Sequence, residues 1–148
     1  MTQVDFYILE DNQRDQFVCR LAEKIYSQGK SVYIHTEGDE QSRHIDQLLW
    51  SFREGSFIPH HSDCDAGEHK ESPVEIGSGD LGEHHNEVLI NLTPEVPLIF
   101  SRFQRVAEII AEGEPDRVSG RERFRFYRDR GYPLQSHNIP MKQKRDKS

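Results

Sequence analysis

The sequence predicts an α/β fold of three layers, a mainly parallel sheet with helices packed on both faces. Two observations carry that reading. Short runs of branched and aromatic residues alternate with longer segments whose apolar residues recur at helical spacing. From the amino end these segments follow in the order β-α-β-α, the rhythm of parallel strands joined by crossover helices. The length of 148 residues suits one domain with a single core.

The first strand is Val4-Asp5-Phe6-Tyr7-Ile8-Leu9, which stops at the polar cluster Glu10-Asp11-Asn12. A helix over 13–28 follows, with Phe17, Leu21 and Ile25 on one stripe and Val18 and Ala22 beside it. Gly29 stands where a helix-terminating glycine belongs. Residues 31–36 form a second strand, and Asp39 or Ser42 opens a helix carrying Ile45, Leu48, Leu49 and Phe52. Phe57-Ile58-Pro59-His60 reads as a short extended element, and 61–72 as polar loop. Short strands are expected at 73–76 and 88–92, separated by a flexible connection. Pro94 and Pro97 break the backbone, and Phe100 to Phe103 makes one helical turn. Val106, Ile109 and Ile110 suit a helix, but the brevity of 105–111 suits a strand, which is the assignment made here. The last helix spans about 115–130, with Pro115 in its first turn and Gly131 past its end. The domain is thus read as residues 1–134, with 135–148 a polar, frayed tail.

Composition narrows the function. The chain is 34% hydrophobic and 30% charged, too polar for a bilayer-crossing run yet short of a disordered composition. The first residues lack the basic-then-apolar order of a secretion signal, and two cysteines, Cys19 and Cys64, suit a reducing cytoplasm. A net charge of −7 opposes a surface that attracts nucleic acid everywhere, though not a local basic patch.

Two motifs suggest chemistry and fail on context. Gly77-Ser78-Gly79-Asp80-Leu81-Gly82 matches G-x-G-x-x-G, but the strand around Val88 follows too soon for the helix that a dinucleotide site requires. The first strand, where a phosphate loop would sit, is followed by carboxylates instead. His60, His61, Asp63, Cys64, Asp65 and His69, with His84 and His85 later, match no closed zinc spacing, so no metal site is expected. Cys64 has no local general base, and neither G-x-S-x-G nor a Walker lysine motif occurs. Glu10 and Asp11 read as turn and helix-start residues. No catalytic residue and no cofactor are therefore predicted.

The unusual chemistry gathers in two places. In the last helix Arg117, Arg121, Phe124 and Arg128 share one narrow stripe at about 100° per residue, with Tyr127 beside it. Guanidinium groups around an aromatic ring suit a ligand carrying carboxylates and one apolar group. Gly120, unfavourable mid-helix by about 1 kcal/mol relative to alanine, marks a close approach to the backbone. The alternative is a solvated amphipathic helix with its aromatics turned to the core. The second place is Trp50, about 100° from Leu49 and 200° from Leu48, which points outward as an interface residue or packs beneath the next loop.

On these residues the chain resembles the chi subunit of bacterial DNA polymerase III, a clamp-loader accessory subunit. The matching stretches are Phe6-Tyr7-Ile8-Leu9, Leu49-Trp50, Ser56-Phe57-Ile58-Pro59-His60, Pro73-Val74-Glu75-Ile76, Val88 to Leu92, and Arg121-Glu122-Arg123-Phe124 to Tyr127 with Gly131. They cover roughly residues 4–134 in the family's order. The resemblance implies a mononucleotide-binding-like, Rossmann-like fold without a nucleotide site, and a non-catalytic adaptor role in DNA replication. It implies two partners: the psi subunit, in a 1:1 pair that joins chi to the clamp loader, and the acidic carboxyl-terminal tail of single-stranded-DNA-binding protein. The tail pocket falls on Ile110, Arg117, Arg121 and Phe124, with Arg128 on the same stripe. A family lysine is replaced by Arg117 and a family tyrosine by Phe124, which keeps charge and ring but loses a hydroxyl. The psi surface falls on Trp50 and Phe57, which would also be where a helicase or repair factor docks. Nucleic acid is then reached only indirectly, and no membrane is involved. Two other classes stand beside this reading: a small nucleotide-dependent α/β enzyme, and direct single-strand binding by the arginine helix.

Overall fold

Branched and aromatic residues make β1 (Gln3–Leu9), and the acidic turn after it gives way to α1 (Arg14–Ser27). The computed structural model describes residues 2–11, 13–51, 60–62, 74–78 and 87–140. In it follow β2 (Val32–His35), α2 (Asp39–Ser51), β3 (His60–Ser62), β4 (Val74–Gly77), β5 (Val88–Asn91), a 3-10 turn (Phe100–Arg102), β6 (Arg105–Ile110), α3 (Glu114–Asp129) and β7 (Leu134–Ile139). The sheet runs β3-β4-β2-β5-β6-β1-β7, and every pairing in it is parallel.

Alternation along the strands separates two apolar clusters, one on each face. Leu9, Val32, Ile34, Val88, Ile90, Ala107 and Ile109 pack with Val18, Ala22 and Ile25 of α1 and Ile45 and Leu49 of α2. On the opposite face Val4, Phe6, Leu89, Val106 and Ile110 pack with Phe100, Phe103 and Tyr127 of α3. Helices thus cover both sides, giving the three-layer α/β architecture expected. Residues 105–110 are a strand, as assigned, and Gly29 and Gly131 take positive φ (81° and 82°) at the ends of α1 and α3. Among the described residues no helix is long and apolar enough to cross a membrane.

One expectation is corrected. The tail read as frayed from Gln135 begins instead with β7, paired to β1 along its length. Val4 donates to the Pro133 carbonyl at 3.0 Å and Glu10 to that of Ile139 at 3.1 Å. Side chains add to the pairing. His137 stacks on Tyr7 with ring centroids 4.9 Å apart, and its Nε2 lies 3.2 Å from buried Asp5, which Arg105 also reaches at 3.1 Å. Of the short element expected at 57–60, His60 opens β3, and residues 57–59 lie outside the described residues.

Cys19 is buried in the α1 layer, where burial first, and then the charge of Asp15, pushes its thiol up from 9.0 to about 12. A raised folded-state pKa adds stability that is complete below the unfolded value and is lost as pH rises through the folded one. The unfolding free energy, measured by urea titration, should therefore decline from about pH 9 toward pH 12. Cys19→Ala should make that decline shallower. A slope as steep as the wild type's would assign it to Tyr7 and Tyr127, whose hydroxyls burial also pushes up.

Candidate functional site

The orientation of α3 is set by a buried carboxylate. Glu108 in β6 is opposite Phe6 of β1 on one side and Asn91 of β5 on the other, facing α3 at 0% exposure. It accepts from Arg123 Nε at 2.7 Å, from Tyr127 Oη at 2.7 Å, and from Asn91 Nδ2 at 3.0 and 3.1 Å. Donors on both oxygens leave the group acting purely as an acceptor, the role of the ionised form. Burial raises the Glu108 carboxyl above the usual range, opposed by the Arg123 charge and by the donated bonds. Arg123, 5% exposed, also donates to the Pro94 carbonyl at 3.1 Å and to Ser119 Oγ at 3.0 Å. Asn91 reaches the Glu95 carbonyl at 3.0 Å, so the same network fixes the loop between β5 and β6.

Arg123 and Tyr127 are four residues apart and point inward together, which leaves the neighbouring helical stripe on the flank of the buried face. There a cavity of about 240 Å³ opens between α3 and the sheet. Its floor is Phe6 and Ile8 of β1 and Ile110 at the end of β6; α3 contributes Arg117, Gly120, Arg121 and Phe124, and β7 contributes Ser136. Phe124 tilts against Phe6 with centroids 5.2 Å apart. The close approach marked by Gly120 is internal: a Cβ there would collide with Cδ1 of Ile110. An apolar floor beneath two guanidinium groups can take an apolar side chain together with a carboxylate.

Of the predicted site residues, Ile110, Arg117, Arg121 and Phe124 line this one cavity. Arg128 does not; it is exposed and paired with Asp129 at 3.2 Å. Trp50 lies in α2, but its side chain and all of Phe57 are outside the described residues. Sequence reasoning missed Phe6, Ile8 and Ser136 as lining and the buried pair behind them. The signal for that pair was present: a lone acid inside the apolar run Val106 to Ile110, and an arginine one turn before a tyrosine.

The crevice at the carboxyl ends of β1 and β6, where a mononucleotide fold would hold phosphate, has the opposite character. It is lined by the first turns of α1 and α3, with Asp15 held to His44 Nε2 at 3.0 Å and Asp116 lying 3.9 Å from Arg14. Carboxylates occupy the helix amino termini that would otherwise favour an anion. Gly77 of the glycine-rich motif ends β4 and Ser78 follows it, and the remainder lies outside the described residues. His60 and His61 belong to β3, and Asp63, Cys64, Asp65, His69, His84 and His85 also lie outside them.

The family model described as "DNA polymerase III chi subunit, HolC" matches residues 1–135. The DNA polymerase III subunit chi of Pseudomonas aeruginosa is 46% identical over 143 residues, covering 95% of this chain and 99% of that protein. Its namesake in Haemophilus influenzae is 30% identical over 138 residues, covering 90% and 95%. That of Escherichia coli is 27% identical over 142 residues, covering 90% and 96%.

Removing one partner of a buried ion pair strands the other charge. Arg123→Ala should therefore lower stability by about 3–5 kcal/mol in urea unfolding, whereas Arg121→Ala, on the exposed rim, should leave it unchanged. Equal effects of the two would remove Arg123 from its place as the anchor of α3.

Proposed function

The chain belongs to the DNA polymerase III chi subunit family, and on that premise we propose that it is a non-catalytic adaptor of the cytoplasmic replication machinery. In this reading the α3 cavity holds the acidic carboxyl-terminal tail of single-stranded-DNA-binding protein. The surface bearing Trp50 and Phe57 docks the psi subunit and, through it, the clamp loader. One observation supports the tail assignment above others: four residues selected from the sequence, Ile110, Arg117, Arg121 and Phe124, line a single cavity.

The mechanism follows from that lining. Phe6, Ile8, Ile110 and Phe124 offer apolar surface to the last side chain of the tail, and burying a large apolar side chain contributes about 1.5–3 kcal/mol. Arg117 and Arg121 receive the terminal carboxylate and the acid beside it through charge-assisted hydrogen bonds. Arg128, farther along the helix, faces acidic residues upstream in the tail. Because Phe124 has no hydroxyl, the ring acts by packing alone, and affinity leans on the guanidinium groups. Pairs at a partly exposed rim weaken as salt screens them.

Titration calorimetry with a tail peptide tests this. Arg121→Ala should weaken binding at least tenfold, equivalent to about 1.4 kcal/mol, with the melting temperature unchanged. Gly120→Ala should push Ile110 Cδ1 out of place and weaken the peptide with little change in stability, since the helix gains about 1 kcal/mol in propensity. The double substitution of Trp50 and Phe57 to alanine should abolish capture of psi while the peptide still binds. Wild-type peptide affinity in Arg121→Ala would sink the tail assignment.

A further inference from the structure

A cavity of about 540 Å³ opens at the amino ends of the strands, where α1 finishes over the starts of β1, β5 and β6. Gln3, Arg105 and Val88 stand side by side there in register. Backbone bonds from Gln3 N–H to the Gln104 carbonyl and from Arg105 N–H to the Glu87 carbonyl, both 3.0 Å, tie the rim together. The floor belongs to the apolar layer beneath α1, with Ile25 and Ala107. No residue of this lining is shared with the α3 cavity.

The polar part of the lining is cationic. Lys24, Lys30 and Arg105 stand against one carboxylate, Glu87, which already accepts from Ser31 N–H at 2.6 Å and from Ser31 Oγ at 3.0 Å. Lys24 and Lys30 are exposed and enter no ion pair among the described residues. Arg105 is half exposed and is held in place from behind, because buried Asp5 takes its Nη1 at 3.1 Å. That leaves the edge formed by Nε and Nη2 without a hydrogen bond among the described residues, a planar fork of donors suited to a bidentate anion. Tyr7 adds a neutral donor: burial first, and then the Asp5 charge, pushes its hydroxyl up, so it stays protonated beside the cations. Its ring already packs on Phe17 and His137, with centroids 5.4 and 4.9 Å away, which leaves little surface for a nucleobase to stack on.

We propose that this cavity binds a small polyanion without an aromatic ring, one bearing two or more phosphate or carboxylate groups. Arg105 clasps one group through its fork, and Lys24 and Lys30, from the last turn of α1 and the loop after it, meet the next. Asp5 acts as a positioning residue, since it presets the guanidinium without facing the ligand. A recess of this volume suits a ligand of a few groups. The net charge of −7 opposes a long polyanion, which would have to lie across the surrounding acidic surface. The site stands apart from the peptide reading given above and needs no part of it.

Thermal shift and titration calorimetry on the full chain, at constant ionic strength, compare pyrophosphate, citrate and inorganic phosphate. Pyrophosphate or citrate should raise the melting temperature saturably and bind about tenfold more tightly than inorganic phosphate, and the tighter of the two names the anionic group. Lys24→Gln combined with Lys30→Gln should weaken that binding about tenfold with the ligand-free melting temperature unchanged, since both side chains are exposed. Arg105→Lys keeps a cation for Asp5 but loses the fork, and should weaken binding as well. If that variant is destabilised, the lysine pair alone gives the answer. Absence of saturable binding, or wild-type affinity in the lysine variant, would overturn the proposal. Binding lost in Arg121→Ala but kept in the lysine variant would also overturn it, by placing the anion in the α3 cavity. So would a single-stranded oligonucleotide that binds more tightly than pyrophosphate and depends on the same lysines, which would assign these cations to nucleic acid.

Discussion

Glu108 sits at the centre of the sheet, fully removed from solvent, and a charge at that depth is tolerable only if its partners arrive in fixed positions. Arg123, Tyr127 and Asn91 supply them from α3 and β5. Because a guanidinium and a phenol must reach the same two oxygens, α3 has one permitted rotation about its axis. A purely apolar interface would admit several. The arginine that meets Glu108 also bonds the Pro94 carbonyl, so strand, helix and loop share a single registration point. The flank carrying Arg117, Arg121 and Phe124 inherits its position from this arrangement without touching it. Rigid presentation matters for a shallow site, since side chains already held in place lose less freedom on binding.

The electrostatics of the amino-terminal half of α3 are divided along the same lines. At its first turn Asp116 accepts from the Ala111 N–H and faces Arg14, and Asp15 on α1 faces His44. A crevice that in other mononucleotide-like sheets attracts phosphate here repels it. The sign reverses at Arg117, the residue after Asp116, and is positive again at Arg121, about one turn beyond it. In an acidic protein, Arg117 and Arg121 thus place two cations beside the α3 cavity.

Most of the fold was legible because the apolar periods were clean. The β-α-β-α opening, the strand at 105–110 and the long final helix all carry enough buried residues to announce their period. β7 did not, because an edge strand with Leu134 and Ile139 as its apolar residues shows no alternation; it is held by backbone pairing and by Asp5, a residue 132 positions away from His137. Of the arginine stripe, Arg117, Arg121 and Phe124 line one cavity while Arg128 stands outside it, and periodicity treats every arginine as equivalent. It could not tell that Arg123, two residues from Arg121, is a core residue, because that depends on Glu108 and Asn91 in other strands. Gly120 was read as marking a close approach to the helix backbone, but which residue approaches, Ile110, depends on the packing of β6 against α3.

That last difference bears on selectivity. Ile110 is at once the pocket floor and the residue that Gly120 makes room for, so the depth of the cavity depends on a single contact between β6 and α3. With about 240 Å³ available, the floor can take one large apolar side chain and little more. A hydrophobic recess of that kind discriminates weakly between similar side chains, by about 1–3 kcal/mol per missing or extra group. In the proposed reading discrimination comes from the rim, where two planar guanidinium groups favour a carboxylate placed beside the apolar residue. The buried pair of Glu108 and Arg123 behind α3 acts on that rim at a distance, by holding the helix that carries it.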